Sequence, residues 1–382
     1  MRFGGKRMLC ALLCVGLLFS QAAALPEMGA LKSKAAALYA ADGTELYVYH
    51  ADEQLQPASV TKIMTMLLAM EAIDSGKVTL SDMVTGSAYA ASMGGTQIWL
   101  KEGEQLTLDE MLKAIAVGSA NDCAVAVAEH LAGSEQAFVD QMNQRAKELG
   151  CTGTTFVNAN GLDADGQKTL TTAHDLALIS VELLKHPKII EYTSIWMDTI
   201  RNGQFGLANT NKMLRKYDGM IGLKTGYISQ AGFCISAAAE REGLTLIAVV
   251  MAAPDKDTRT ADASQLLNYG FANFAAYTPD VSAACGDLPV ILGKSETVGV
   301  MCDAPSTLTV EKEKVGQMSV TYERPESIAA PVIQGQQIGA VRVLDGDGQV
   351  VCELALRAAA DVEKQGFWDL FGALCRSVNG ME

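Results

Sequence analysis

The segment Ser59 to Ile73 restricts this chain more than any other. Its apolar residues, Val60, Ile63, Met64, Met66, Leu67, Leu68 and Met70, point almost all round a helical axis. A helix that is apolar on every side belongs in the middle of a domain. Its first turn nevertheless holds Ser59 and Lys62, spaced so that both face one side. Partial positive charge at a helix N-terminus and burial of the ammonium both lower a lysine pKa. A neutral Lys62 can then take the proton from Ser59. The plainer alternative is Ser59 as a helix cap and Lys62 as a surface lysine. Composition alone supplies a Ser-x-x-Lys on the order of once in such a chain, so this pair decides nothing by itself.

Around that helix the pattern is α+β. Ala35 to Ala40 and Leu46 to Tyr49 are strand-like and flank Asp42-Gly43, a hairpin signal. Met111 to Val117 and Ala124 to Leu131 are helical, broken at Gly118-Ser119, and residues 156 to 170 form a loop before a helix from Asp175 to Leu184. Phe233 to Ala238 and Leu244 to Ala252 are strands, and a last helix is expected from about Asp262 to Ala275. Strands at both ends with helices between predict one α+β domain whose terminal strands share a sheet. After Tyr277-Thr278-Pro279, short β-type runs punctuated by Gly, Pro and Asp predict a small all-β domain. Gly293-Lys294-Ser295 is no phosphate loop, because Leu288 stands where its first glycine belongs. In the tail, Phe367, Trp368, Leu370, Phe371, Leu374, Cys375 and Val378 share one helical face, which suits a membrane interface; docking on the protein itself or a frayed tail is the alternative. The expected division is residues 1–24 signal peptide, 28–278 catalytic, 279–358 β-rich and 360–382 amphipathic helix.

The signal assignment rests on Arg2, Lys6 and Arg7, an apolar run from Met8 to Phe19, and the small residues Ala22 to Ala24. The run is too short to span a bilayer comfortably, and an uncleaved membrane anchor is the alternative; either way the chain is expected to be exported, secreted or peripheral on the extracytoplasmic membrane face. A net charge of −14 argues against nucleic acid as a partner. Nine cysteines, two of them in the signal, leave an odd seven without paired short spacings, and the four histidines are not spaced as ligands. Neither a disulfide framework nor a metal site is expected.

Two further elements change the weight of Ser59 and Lys62. Ser119-Ala120-Asn121 falls in an interhelix break, where a hydroxyl and an amide can face a cleft; helix capping is the alternative. Lys224-Thr225-Gly226 opens a strand-rich stretch, and Gly226 is expected to leave room for a ligand backbone. A Ser-His-Asp arrangement has no support, since no Gly-x-Ser-x-Gly elbow is present.

These three elements, in this order, resemble the serine penicillin-recognising enzymes. Pro57-Ala58-Ser59-Val60-Thr61-Lys62, Asn160-Gly161-Leu162-Asp163, Asn209-Thr210-Asn211, Gly219 to Gly226 and Arg259-Thr260-Ala261 are similar to the low-molecular-mass D-alanyl-D-alanine carboxypeptidases. The resemblance implies a β-lactamase/transpeptidase-like catalytic domain and removal of terminal D-alanine from peptidoglycan stem pentapeptides. It implies Ser59 as nucleophile, Lys62 as base, Ser119 as proton relay with Lys224, and Asn121 on the substrate amide. It further implies Thr225 and Arg259 on the terminal carboxylate, and an oxyanion hole from the N–H groups of Ser59 and Tyr227. Other partners it implies are β-lactam antibiotics as covalent inhibitors and a membrane surface at the C-terminal helix; no metal or organic cofactor is needed. Tyr227 stands where some relatives have His, which bears on fine specificity. The rivals are a D,D-endopeptidase, a serine β-lactamase, disfavoured by the lack of glutamate between Asn158 and Thr172, and a non-catalytic scaffold. Asp175 is a weaker site candidate than a helix-start residue, and Cys123 is read as a buried structural thiol.

Overall fold

The computed structural model describes residues 25, 27–163, 166–303 and 307–378. The expected signal segment, 1–24, lies outside the described residues.

The larger part of the chain is built on a five-stranded antiparallel sheet. Its strands are β1 (Ala35–Ala40), β2 (Glu45–Tyr49), β3 (Met220–Ile228), β4 (Gly232–Arg241) and β5 (Leu244–Ala253), in the order β2-β1-β5-β4-β3. The terminal strands do share the sheet, with Ala35 opposite Met251. Both faces are covered, and the side-chain period of two explains how one strand serves both. Ala35, Ala37 and Tyr39 enter one apolar cluster, while Ala36, Leu38 and Ala40 enter the other.

The first cluster surrounds α1 (Lys62–Asp74), with α2 (Asn121–Ala132) and α3 (Ala173–Leu184) packed about it. As its composition requires, α1 is buried through Ile63, Met64, Met66, Leu67 and Met70. The α-helix starts at Lys62 rather than Ser59: residues Ala58–Thr61 form a 3₁₀ turn, so Ser59 sits on the tighter entry. The second cluster is closed by α4 (Lys256–Asn273). It begins six residues before the expected Asp262 because Asp255 caps it, its side chain accepting from Thr258 N at 2.7 Å. It also ends earlier, since Phe274–Tyr277 leaves as a strand paired with Leu308–Glu311.

The small β part is a six-stranded sheet around a core of Leu288, Val290, Val298, Val300, Val341 and Leu356. Phe367–Val378 is helical, and Phe367, Trp368, Leu370 and Phe371 are exposed on it. Among the described residues no helix is long and apolar enough to cross a membrane.

Candidate active site

The 3₁₀ turn hands Ser59 to the side of α1 on which Lys62 lies. Lys62 is fully buried, and its Nζ donates to Ser59 Oγ at 3.0 Å, to Asn121 Oδ1 at 2.6 Å and to the Asn160 carbonyl at 2.8 Å. Three acceptors fix the amine in one direction. None is a carboxylate, so nothing in direct contact offsets burial. Burial, and then the charge of Lys224, push the Lys62 pKa well below the ordinary lysine range.

Ser119 follows a distorted helix end. Leu108–Lys113 starts on a capping box between Thr107 and Glu110, then widens into a π turn over Ala114–Gly118. Ser119 terminates it in a left-handed conformation, φ +66, and is 5% exposed. Asn121 opens α2 rather than capping it, which spares its side chain for tertiary contacts. Its Oδ1 receives Lys62, and its Nδ2 donates to the Gly94 carbonyl at 2.8 Å. These bonds leave one amide proton of Asn121 unused.

Strand β3 brings the third element. Lys224 is 1% exposed, its Nζ donating to Thr225 O at 3.0 Å, and burial followed by the Arg259 charge lowers its pKa to about 7. Thr225 Oγ1 donates to Thr210 Oγ1 at 2.7 Å. Gly226 lies against the chain's own Ser59 turn. A Cβ there would lie 2.4 Å from Pro57 O and 3.0 Å from Val60 N. The clearance is filled by the protein's own Ser59 turn, and this close approach sets the two segments side by side. Tyr227 follows, 55% exposed and stacked on Phe233 at 4.3 Å.

Arg259, on α4, is 5% exposed, and its Nε has no hydrogen-bond partner among the described residues. Lys62, Lys224 and Arg259 make no ion pair with a carboxylate there, and Arg259 and Lys224 each lower the pKa of a neighbouring cation. Basic groups gathered without carboxylate partners in a chain of charge −14 suit a ligand that ends in a carboxylate.

Several supports had no signature in the sequence. The Asn160 carbonyl is presented by a loop in which Asn158 Oδ1 accepts from Gly161 N at 2.7 Å and Asn158 Nδ2 donates to Leu162 O at 2.6 Å. Buried Asp122 accepts from Ile98 N and Leu100 N, which fixes the loop across from Asn121. The Asp175 carboxylate is taken by Gly153 N and Thr154 Oγ1, a structural use. Burial, with Asp122 beside it, pushes the Cys123 thiol far up, so it is no thiolate.

Residues 21–255 match the family model described as D-alanyl-D-alanine carboxypeptidase, and residues 280–364 match the penicillin-binding protein 5 C-terminal domain. The chain is 40% identical over 344 residues to the D-alanyl-D-alanine carboxypeptidase DacF of Bacillus subtilis, covering 88% of this chain and 87% of that one. It is 31% identical to DacC of Escherichia coli, over 86% and 84% of the two chains. Among solved structures, penicillin binding protein 5 from Haemophilus influenzae superposes with a TM-score of 0.69 at 28% identity, covering 88% of this chain and 98% of that chain. PBP3 from Streptococcus pneumoniae gives 0.70 at 28%, covering 87% and 100%. With the three motifs gathered round one buried lysine, the chain belongs to the D-alanyl-D-alanine carboxypeptidase family.

Proposed function

We propose that Ser59 and Lys62 carry out the carboxypeptidase reaction of this chain as nucleophile and general base. Ser59 Oγ attacks the carbonyl carbon of the penultimate D-alanine while its proton passes to neutral Lys62 Nζ. The C–N bond then breaks, and the departing amine of the last D-alanine takes a proton by way of Ser119, with Lys224 beside it. Water attacks the resulting ester and frees Ser59. Asn121 holds the donor amide, the N–H groups of Ser59 and Tyr227 stabilise the oxyanion, and Thr225 and Arg259 meet the terminal carboxylate. The observation that carries this reading is the 3.0 Å contact between Lys62 Nζ and Ser59 Oγ, with no carboxylate touching the amine.

Benzylpenicillin presents a strained amide to the same nucleophile. After incubation and digestion, its mass should be found on the peptide that contains Ser59. D-alanine release from a stem pentapeptide should fall in proportion to the adduct. An adduct on another serine, or release that survives full labelling of Ser59, would overturn the assignment.

The proposed setting is extracytoplasmic, with residues 28–278 catalytic, 279–358 a β-rich support and 360–382 a peripheral membrane contact. Supporting the last part, Phe367 and Trp368 are 71% and 77% exposed. Each large apolar side chain moved out of water contributes about 1.5–3 kcal/mol. The double substitution Phe367→Asp and Phe371→Asp should lower the vesicle-bound fraction at least about tenfold in sedimentation with phosphatidylglycerol vesicles. Release from a soluble peptide should persist. Unchanged sedimentation would remove the membrane role from this helix.

A further inference from the structure

Trp99 is displayed at a cost. It is 66% exposed, and its φ of +55 is a left-handed backbone that a bulky residue adopts only when its surroundings impose it. The constraint is visible on both sides. Ile98 N and Leu100 N both donate to the buried Asp122 carboxylate, at 3.1 and 2.9 Å. The Ile98 carbonyl accepts from Arg201 Nη1 at 2.8 Å, and Glu104 holds the same guanidinium through Nε at 2.7 Å. Arg201 also lies 5.3 Å over the Phe205 ring, and Phe205 meets Trp99 edge-on with centroids 6.0 Å apart. Met197, 68% exposed, starts the hairpin that bears Phe205. Two segments a hundred residues apart are thus tied together in a way that leaves aromatic surface open to water. An aromatic surface held open in this way suits an apolar ligand.

Its position says which ligand. Asn121 N donates to Thr96 O at 2.8 Å and Asn121 Nδ2 to Gly94 O, so the Trp99 loop runs along the side of the site where Asn121 meets the donor amide. We propose that the Trp99–Phe205 surface receives the side chain of the residue preceding D-Ala-D-Ala, the long-chain diamino acid at the third position of the stem. Its alkyl segment lies on the indole while its amine stays in water. The inference rests on the placement of the acyl donor given above.

The test is the ratio of kcat/KM for two peptides on the full chain: diacetyl-L-lysyl-D-alanyl-D-alanine and acetyl-glycyl-D-alanyl-D-alanine. The unmodified enzyme should favour the lysyl peptide by about tenfold or more. Trp99→Ala should remove about tenfold from that ratio, Phe205→Ala a smaller part, and Trp99→Phe should retain most of it. Phe205→Ala leaves the strained backbone untouched and reports even if Trp99→Ala fails to fold. A ratio unmoved in both alanine variants overturns the proposal, including the case where both peptides slow together, which would assign Trp99 to positioning Asn121. So would a loss confined to glycan-linked stems, which would place a sugar there. If the unmodified enzyme released D-alanine from neither peptide, the donor placement itself would fall.

Discussion

Replacing Lys62 with methionine is expected to slow acylation of Ser59 by about a thousandfold or more, for stem peptides and penicillin alike. Methionine keeps a similar length and fills the same apolar surroundings, so α1 retains its packing; what disappears is the amine 3.0 Å from Ser59 Oγ. The direction of the Lys62 shift gives a second readout. The base must be neutral, and burial with the Lys224 charge lowers its pKa, so the neutral fraction grows as pH rises through a value well below the lysine range. Acylation by the unmodified enzyme should therefore climb along an acid limb and level off before strongly alkaline pH. Residual acylation of the variant should lose that limb. Rapid-mixing measurement of the penicillin adduct across pH tests both parts. A variant retaining a tenth of the rate, or the same limb, would make Lys62 a positioning group at most.

The second large effect is on stability. Gly161→Ala should cost about 3 kcal/mol, combining roughly 1 kcal/mol of left-handed strain with a clash that packing cannot relieve. The φ of Gly161 is +86, and a Cβ there would lie 2.0 Å from Ala58 O and 2.7 Å from Thr61 Oγ1. Neither neighbour can yield cheaply, because Ala58 belongs to the 3₁₀ turn that carries Ser59. Gly150→Ala is the control: φ is +79 but nothing lies within 4 Å, so only the strain of about 1 kcal/mol remains. Thermal unfolding should separate the two by several degrees, and only Gly161→Ala should also lose penicillin acylation. Equal shifts would show that the loop gives way and that the close approach carries no load.

How much could be read from the sequence depended on where the chemistry resides. The roles proposed for Ser59, Lys62, Ser119, Asn121 and Lys224 are side-chain roles, so their spacing carried information. The Asn160 carbonyl that helps orient Lys62 is a backbone group any residue would supply, and the Asp122 clamp is written in amides of a distant loop. Only the fold puts them there. The sheet and its terminal pairing were legible because β1 and β5 are short apolar runs bounded by turns. The start of α4 was not, since Asp255 caps a first turn of Lys256, Asp257, Thr258 and Arg259 that looks like loop. Gly226 was legible as a close approach, but a sequence does not say to what; the structure puts the Pro57 carbonyl there.

The pairing of Ala35 with Met251 has a consequence for the chain while it is being made. Strand β1 emerges first and has only β2 beside it until more than two hundred further residues have followed, and closing so long a loop carries a large entropic cost. Lys224 waits on the same event, because β3 joins the sheet only through β4 and β5. A growing or partly threaded chain thus holds Ser59 and Lys62 without the strand that completes their cleft. Under the roles proposed for them, the set is complete only once the last strand docks against the first, and a product truncated before β3 lacks Lys224 altogether.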